Sequence, residues 1–206
     1  MQKLLNSLSL IVVCGSAMTG KTTTARYLGK ELNTHVLDID DLRNVCFGMP
    51  PMLPTAESHK LHMIQFGASY RVLFIAIEQQ LSVIKDSLII TASISSYEKG
   101  QVLLMEIVMR AGARLKVIWL KANPSALSDE DLNLRIKERL NKQLDYTGTL
   151  GTIHGVEFFR ERHQQLDIRI PGLICIETWP NNSPEITCTK ALAYALDPDS
   201  GYGKHT

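Results

Sequence analysis

Short apolar runs rich in β-branched residues alternate along the chain with longer segments whose apolar positions recur every three or four residues. The short runs predict strands at Leu8–Cys14, Thr34–Ile39, Ser87–Thr91, Arg114–Leu120 and Gly172–Glu177. Helical periods fill the gaps: Lys21–Leu32, a long Ala56–Lys85, Tyr97–Ala111, Asp129–Gln143, His154–Leu166 and Pro184–Ala195. Ser183-Pro184-Glu185 opens the last of these, with serine as N-cap and proline at the first helical position. This alternation implies an α/β fold, a five-stranded parallel sheet with helices on both faces. In such sheets ligands collect at the carboxyl ends of the strands. Three strand ends therefore hold the candidate chemistry: the loop from Gly15, the segment Asp38-Ile39-Asp40-Asp41-Leu42-Arg43, and Thr91-Ala92-Ser93.

The first strand runs into Gly15-Ser16-Ala17-Met18-Thr19-Gly20-Lys21-Thr22, which meets the phosphate-loop pattern G-x-x-x-x-G-K-[ST] in full. The physical reason is anion capture. A strand ends, a glycine-rich loop curls around an oxyanion, and a helix begins with its free N–H groups and dipole aimed at the same point. Lys21 would place a point charge on the β- and γ-phosphates of a nucleotide, and Thr22 would offer a hydroxyl to Mg²⁺. Thr23, one residue on, has an N–H and a hydroxyl for the α-phosphate.

At the second strand end, Asp40 is placed to accept a proton from a hydroxyl attacking a γ-phosphate. The alternative is that Asp40 or Asp41 only N-caps a short helix starting near Leu42. Arg43 either holds an acceptor's anionic group, or supports the base, or is a solvent-exposed helix arginine. Arg135 and Arg139 lie four apart on one helical face. They would answer triphosphate charge during transfer, or else pair on the surface with residues such as Asp131. His59, His62, His154 and His163 have no partner pattern of a metal centre. Gly48 to Pro54 is too proline-rich for helix or central strand, and reads as an irregular loop, either part of an acceptor pocket or a connector.

Composition narrows the classes. The 206 residues, 45% hydrophobic, suffice for one buried core. A net charge of +1 gives no field that would favour a nucleic acid duplex. Four cysteines without a C-x-x-C pair point to a reduced, cytoplasmic protein, with Cys14 and Cys175 expected in the core. The N-terminal apolar run is too short to span a membrane and leads into the phosphate loop rather than a cleavage site. Asp197–Thr206, rich in Gly, Asp and Ser, is expected to be a flexible tail behind a single domain, residues 1–196.

The chain resembles the small P-loop kinases of hydroxyl groups, among them the 5′-kinase domain of phage polynucleotide kinase, chloramphenicol phosphotransferase, gluconate kinase and the zeta toxins. The likeness rests on Gly15 to Thr22, on Asp40-Asp41-Leu42-Arg43 as D-D-x-R, and on Thr91-Ala92-Ser93-Ile94 at the third strand end. Lys99, the R-x-x-x-R of Arg135 to Arg139, "RAGARLKVIWLKAN" and "CIETWPNNSPEI" extend it to about residues 8–196. The last of these looks like the family's final strand and the loop bordering adenine. The resemblance implies strand order 2-3-1-4-5, Asp40 as general base, Arg43 as an acceptor-side or supporting arginine, and Arg135 with Arg139 on a lid over the phosphates. The lid spans about Leu127–Gly151. One departure matters: the family's aspartate at the third strand end, which orients Mg²⁺ and its waters, is Thr91 here, and its asparagine is Ile94. Either Asp38 or Asp40 covers the metal, or transfer is slow, or the chain binds nucleotide without acting as a kinase.

Together these features lead to the expectation of ATP- and Mg²⁺-dependent transfer of a γ-phosphate to a hydroxyl. The acceptor is a small molecule in preference to a nucleic acid end, lined by residues between Asn44 and Gly67. Thr91 keeps open a nucleotide-binding regulatory or structural module without transfer, and an NTPase without an acceptor is the other alternative.

Overall fold

The computed structural model describes residues 5, 7–16, 18–48, 56–92, 98–143, 156 and 169–203. Strand β1 (Ser9–Gly15) leads into α1 (Lys21–Leu32), then β2 (His35–Asp38), α2 (Ile39–Phe47) and the long α3 (Ala56–Glu78). After a π-helical turn at Gln79–Ile84 come β3 (Leu88–Thr91), α4 (Glu98–Ala111) and β4 (Arg114–Lys121). A 3-10 turn at Pro124–Ala126 precedes α5 (Asp129–Gln143), and β5 (Ile174–Glu177) and α6 (Pro184–Leu196) follow. The strands form one parallel sheet in the order β2-β3-β1-β4-β5. This is the expected order.

Alternating side chains of the central strands feed two apolar layers, as a sheet covered on both faces requires. Leu10, Val12 and Cys14 of β1 meet Leu73, Ile77 and Leu104 from α3 and α4 on one face. Ile11 and Val13 meet Ala25 and Leu28 of α1 and Ala191 of α6 on the other. The phosphate loop is the exit of a strand buried along its whole length.

Several sequence expectations need correction. The second strand ends at Asp38, because the Asp38 carboxylate accepts the Asp40 N–H at 2.9 Å and N-caps α2. Helix α2 therefore starts at Ile39 rather than near Leu42, and neither Asp40 nor Asp41 is the cap. The long helix is α-helical only to Glu78, and its π turn closes on Lys85 in a left-handed conformation, φ 61°. Cys175 is exposed, not core. Its neighbours Ile174 and Ile176 pack toward α1 and α6, so Cys175 points from the opposite face of an edge strand.

The expected flexible tail is docked over residues 197–203. Tyr202 exchanges two backbone hydrogen bonds with Leu115, both 2.8 Å, as an antiparallel bridge. Strand β5 pairs only with Ile118–Lys121, which leaves the near half of that β4 edge for the C-terminal segment to cover. Residues 204–206, the helix expected at His154–Leu166 and the lid glycines Gly148 and Gly151 lie outside the described residues. No described helix is long and apolar enough to cross a membrane.

Candidate nucleotide site

Gly15 closes β1 with φ 149°, and a Cβ there would stand 2.4 Å from the Leu120 carbonyl oxygen and 2.7 Å from Thr19 Oγ1. Only glycine lets the loop leave the sheet this close to β4. Gly20, at φ 87°, turns the chain into α1, and no side chain caps that helix. Its first turn, at Lys21, Thr22 and Thr23, is a helix N-terminus of the kind that binds anions. The loop is braced from within. Thr19 Oγ1 donates to the Ser16 carbonyl at 2.9 Å, and Lys21 Nζ donates to the same oxygen at 2.7 Å. Met18 holds a left-handed conformation, φ 64°. Ala17 lies outside the described residues.

The sheet order sets β3 between β1 and β2, and α1 leans across to the end of β2. Thr22 Oγ1 donates to Asp38 Oδ2 at 2.9 Å. Asp40 follows in the first turn of α2, exposed over 63% of its side chain, and pairs with Arg43 at 3.3 Å. Arg43 is buried, with 5% of its side chain exposed, which overturns the solvent-exposed alternative. Asp41 lies 4.0 Å from Arg26. Its carboxyl is raised above the usual range first by burial and then by the Asp38 charge, with Arg26 opposing and Asp40 adding. The end of β2 therefore sets the Asp38 carboxylate directly beside the hydroxyl of Thr22. Hard oxygen donors of this kind suit Mg²⁺, so the residues present fit such an ion.

Thr91, at the end of β3, is buried and uncharged, and it is the register partner of Asp38. Asp38, on the neighbouring strand, carries a carboxylate at that register position. The D-x-D spacing of Asp38 and Asp40 at a strand end is the sequence signal for this position.

Arg135 and Arg139 lie on α5, and their side chains are outside the description. Asp131 accepts from Ser128 Oγ at 2.8 Å, and its own N–H donates to the same hydroxyl at 3.1 Å, in a capping arrangement. Lys99 is exposed on α4. Ser93, Ile94 and Met49–Thr55 lie outside the described residues, as do the side chains of His59 and His62 and all of His154 and His163. No cluster of three or more metal-ligating acids, histidines or cysteines occurs among the described residues. Cys14, fully buried in β1, has its thiol pushed up to about 12 by burial and serves as packing.

Beyond β4 and β5 a cavity of about 70 Å³ is lined by Lys121, Asn123, Glu177, Thr178, Trp179 and Asn181. It lies beside the loop: Trp179 Nε1 donates to the Met18 carbonyl at 2.7 Å. Trp179 lies in CIETWPNNSPEI, the segment that the resemblance sets beside adenine, without a role of its own.

No family model and no curated protein sequence matches the chain. Solved structures do. A candidate kinase from Chloroflexus aurantiacus superposes with a TM-score of 0.67 at 18% identity, over 90% of this chain and 97% of its own. The fold is that of the small P-loop kinases. Kti12 from Chaetomium thermophilum, solved with ADP-AlF3, matches with a TM-score of 0.56 at 17% identity, over 91% of this chain and 99% of its own. The APS kinase CysC of Mycobacterium tuberculosis, solved with AMPPNP and APS, matches at 0.55 and 16%, over 91% and 96%. Sugar, gluconate and shikimate kinases are among further matches.

Proposed function

We propose that the chain is an ATP- and Mg²⁺-dependent kinase that transfers the γ-phosphoryl group to a hydroxyl, with a small molecule as acceptor in preference to a nucleic acid end. The observation that carries this reading is the contact of Thr22 with Asp38, which sets a complete phosphate loop against a carboxylate-bearing strand end. Nucleotides bound to neighbours of the same fold support ATP as the donor.

In this reading Gly15–Thr23 cradle the triphosphate, with Lys21 on its β- and γ-oxygens. Thr22 and Asp38 would hold Mg²⁺, which would neutralise charge on the phosphate oxygens. Asp38 replaces the carboxylate that Thr91 lacks. Asp40 accepts the proton of the acceptor hydroxyl as its oxygen bonds to the γ-phosphorus and the bond to ADP breaks. Arg43, buried and paired with Asp40, holds that carboxylate in place and presents charge to the acceptor. Arg135 and Arg139 bring positive charge over the phosphates from the lid.

The test is an acceptor screen with radiolabelled ATP against nucleosides, sugars, antibiotics and RNA ends. Label recovered in one acceptor, with loss in Asp40→Asn, is the expected result. Thr91 favours a second reading, a regulatory module that binds nucleotide and transfers nothing. Tight ATP binding with label in no acceptor and no released phosphate supports that reading. Phosphate released without any acceptor supports an NTPase.

A further inference from the structure

Trp179 stands between two parts of the site. Its indole N–H donates to Met18, 161 residues away in the phosphate loop, at 2.7 Å. Its own carbonyl accepts the Asn123 N–H at 3.2 Å, and the preceding Thr178 N–H donates to Lys121 at 2.8 Å. The residue is thus fixed to the end of β4 on one side and to the phosphate loop on the other, and it lines the cavity between Asn123 and Asn181.

The bonded residue is not an ordinary one. Met18 holds φ 64°, a region that costs a side chain with a Cβ and that persists only where surroundings impose it. The Met18–Thr19 peptide is planar, with its carbonyl and N–H on opposite sides. An oxygen held toward the indole therefore sends the Thr19 N–H the opposite way, away from Trp179. Releasing the oxygen frees that peptide to rotate and to turn a carbonyl dipole toward a bound phosphate.

We infer that Trp179 is a positioning residue for phosphate binding: its indole N–H fixes the Met18–Thr19 peptide and so couples occupancy of the cavity at the ends of β4 and β5 to the shape of the phosphate loop. The inference rests on the reading of that loop as a nucleotide site. It adds a contact through which the nucleoside end of the ligand adjusts the grip on the phosphate end.

Magnesium tripolyphosphate has the phosphates of ATP and no base, so it separates positioning from simple contact with a nucleoside. Trp179→Phe keeps a ring on the cavity and deletes the N–H. Calorimetry on the full chain should show affinity for both ATP·Mg²⁺ and magnesium tripolyphosphate falling about fivefold or more. A variant that loses ATP affinity but keeps tripolyphosphate affinity overturns the inference, since the ring then only borders the base. A parent protein that binds neither ligand refutes the nucleotide reading and the inference with it. Should Trp179→Phe fail to fold, Trp119→Phe leaves Trp179 as the sole tryptophan. Its emission should shift as magnesium tripolyphosphate binds, and an unshifted spectrum on saturated protein overturns the inference.

Discussion

Thr22 Oγ1 donates to Asp38 Oδ2 at 2.9 Å, while the other carboxylate oxygen of Asp38 accepts the Asp40 N–H at 2.9 Å. One side chain thereby ties the first turn of α1 to the first turn of α2. Asp38→Asn preserves the cap and removes the charge. We expect the Mg²⁺ concentration that half-saturates ATP binding to rise about tenfold or more, with little change in melting temperature. A Mg²⁺ titration followed by calorimetry checks this, and an unchanged midpoint would leave Asp38 as a cap only.

Lys21 spans the loop, its Nζ donating to the Ser16 carbonyl at 2.7 Å. Lys21→Ala should weaken ATP·Mg²⁺ binding at least about tenfold, or about 1.4 kcal/mol. Equal affinity of the two proteins would remove the loop from the nucleotide site.

Asp40 is the exposed member of a pair whose other member is buried. Asp40→Asn should cut turnover by roughly two to four decades with ATP affinity nearly constant, the pattern of a lost base rather than a lost binding contact. Arg43→Ala leaves Asp40 unpaired and should raise the acceptor KM as well as lowering kcat. Steady-state kinetics on the acceptor found by the screen separates the two.

Much of this was legible in the sequence because it depends on local chemistry. Gly15, Gly20 and Lys21 announce a phosphate loop, and β-branched runs such as Leu10–Val13 announce buried strands, whose order came from the resemblance to the small P-loop kinases. What was missed depends on contacts between distant segments. Ile39 has the composition of a strand residue, but Asp38 capping of α2 overrides it. Tyr202 lies among Gly, Asp and Ser, and only the unpaired edge of β4 beyond β5 gives it a place. Cys175 sits in an apolar run, yet edge position and strand alternation expose it. Trp179 bonds a residue 161 positions away, a relation that no periodicity encodes.

The lid is tested by motion and by kinetics. Helix α5 carries Arg135 and Arg139 and is anchored by the fully buried Leu132. A kinase needs cationic charge that arrives with the phosphates and excludes water on closure. Arg139→Ala should therefore lower turnover more than it raises the ATP KM. Residues 127–151 should gain hydrogen-exchange protection when ATP binds. Protection unaffected by ATP, with turnover changed less than about twofold, is what surface arginines would give.

A last prediction concerns the C-terminal half of the fold and is independent of catalysis. Lys116 of β4 is buried, and its Nζ donates to the carbonyls of Ala195 at 2.8 Å and Asp197 at 2.6 Å, at the C-terminus of α6. The position suits a donor, since the last carbonyls of a helix lack partners and carry its negative dipole end. Burial nevertheless pushes its pKa down to about 8, with the Arg114 charge adding and Asp197 opposing. Below pH 8 both folded and unfolded chains hold the proton, and the folded protein bears the full cost of the buried charge. Between pH 8 and the unfolded value of 10.5 the unfolded chain binds more protons, so the Lys116 contribution to stability rises with pH. Cys14 and Tyr194, both pushed up to about 12 by burial, act in the opposite sense above their ordinary values. They do so in parent and variant alike. The difference in unfolding free energy between the parent and Lys116→Met therefore isolates the lysine. That difference should move in favour of the parent by up to about 1.4 kcal/mol per pH unit from pH 8 to 10. Urea unfolding at several pH values measures it, and a difference that stays flat over this range would mean that Lys116 keeps an ordinary pKa in the folded protein.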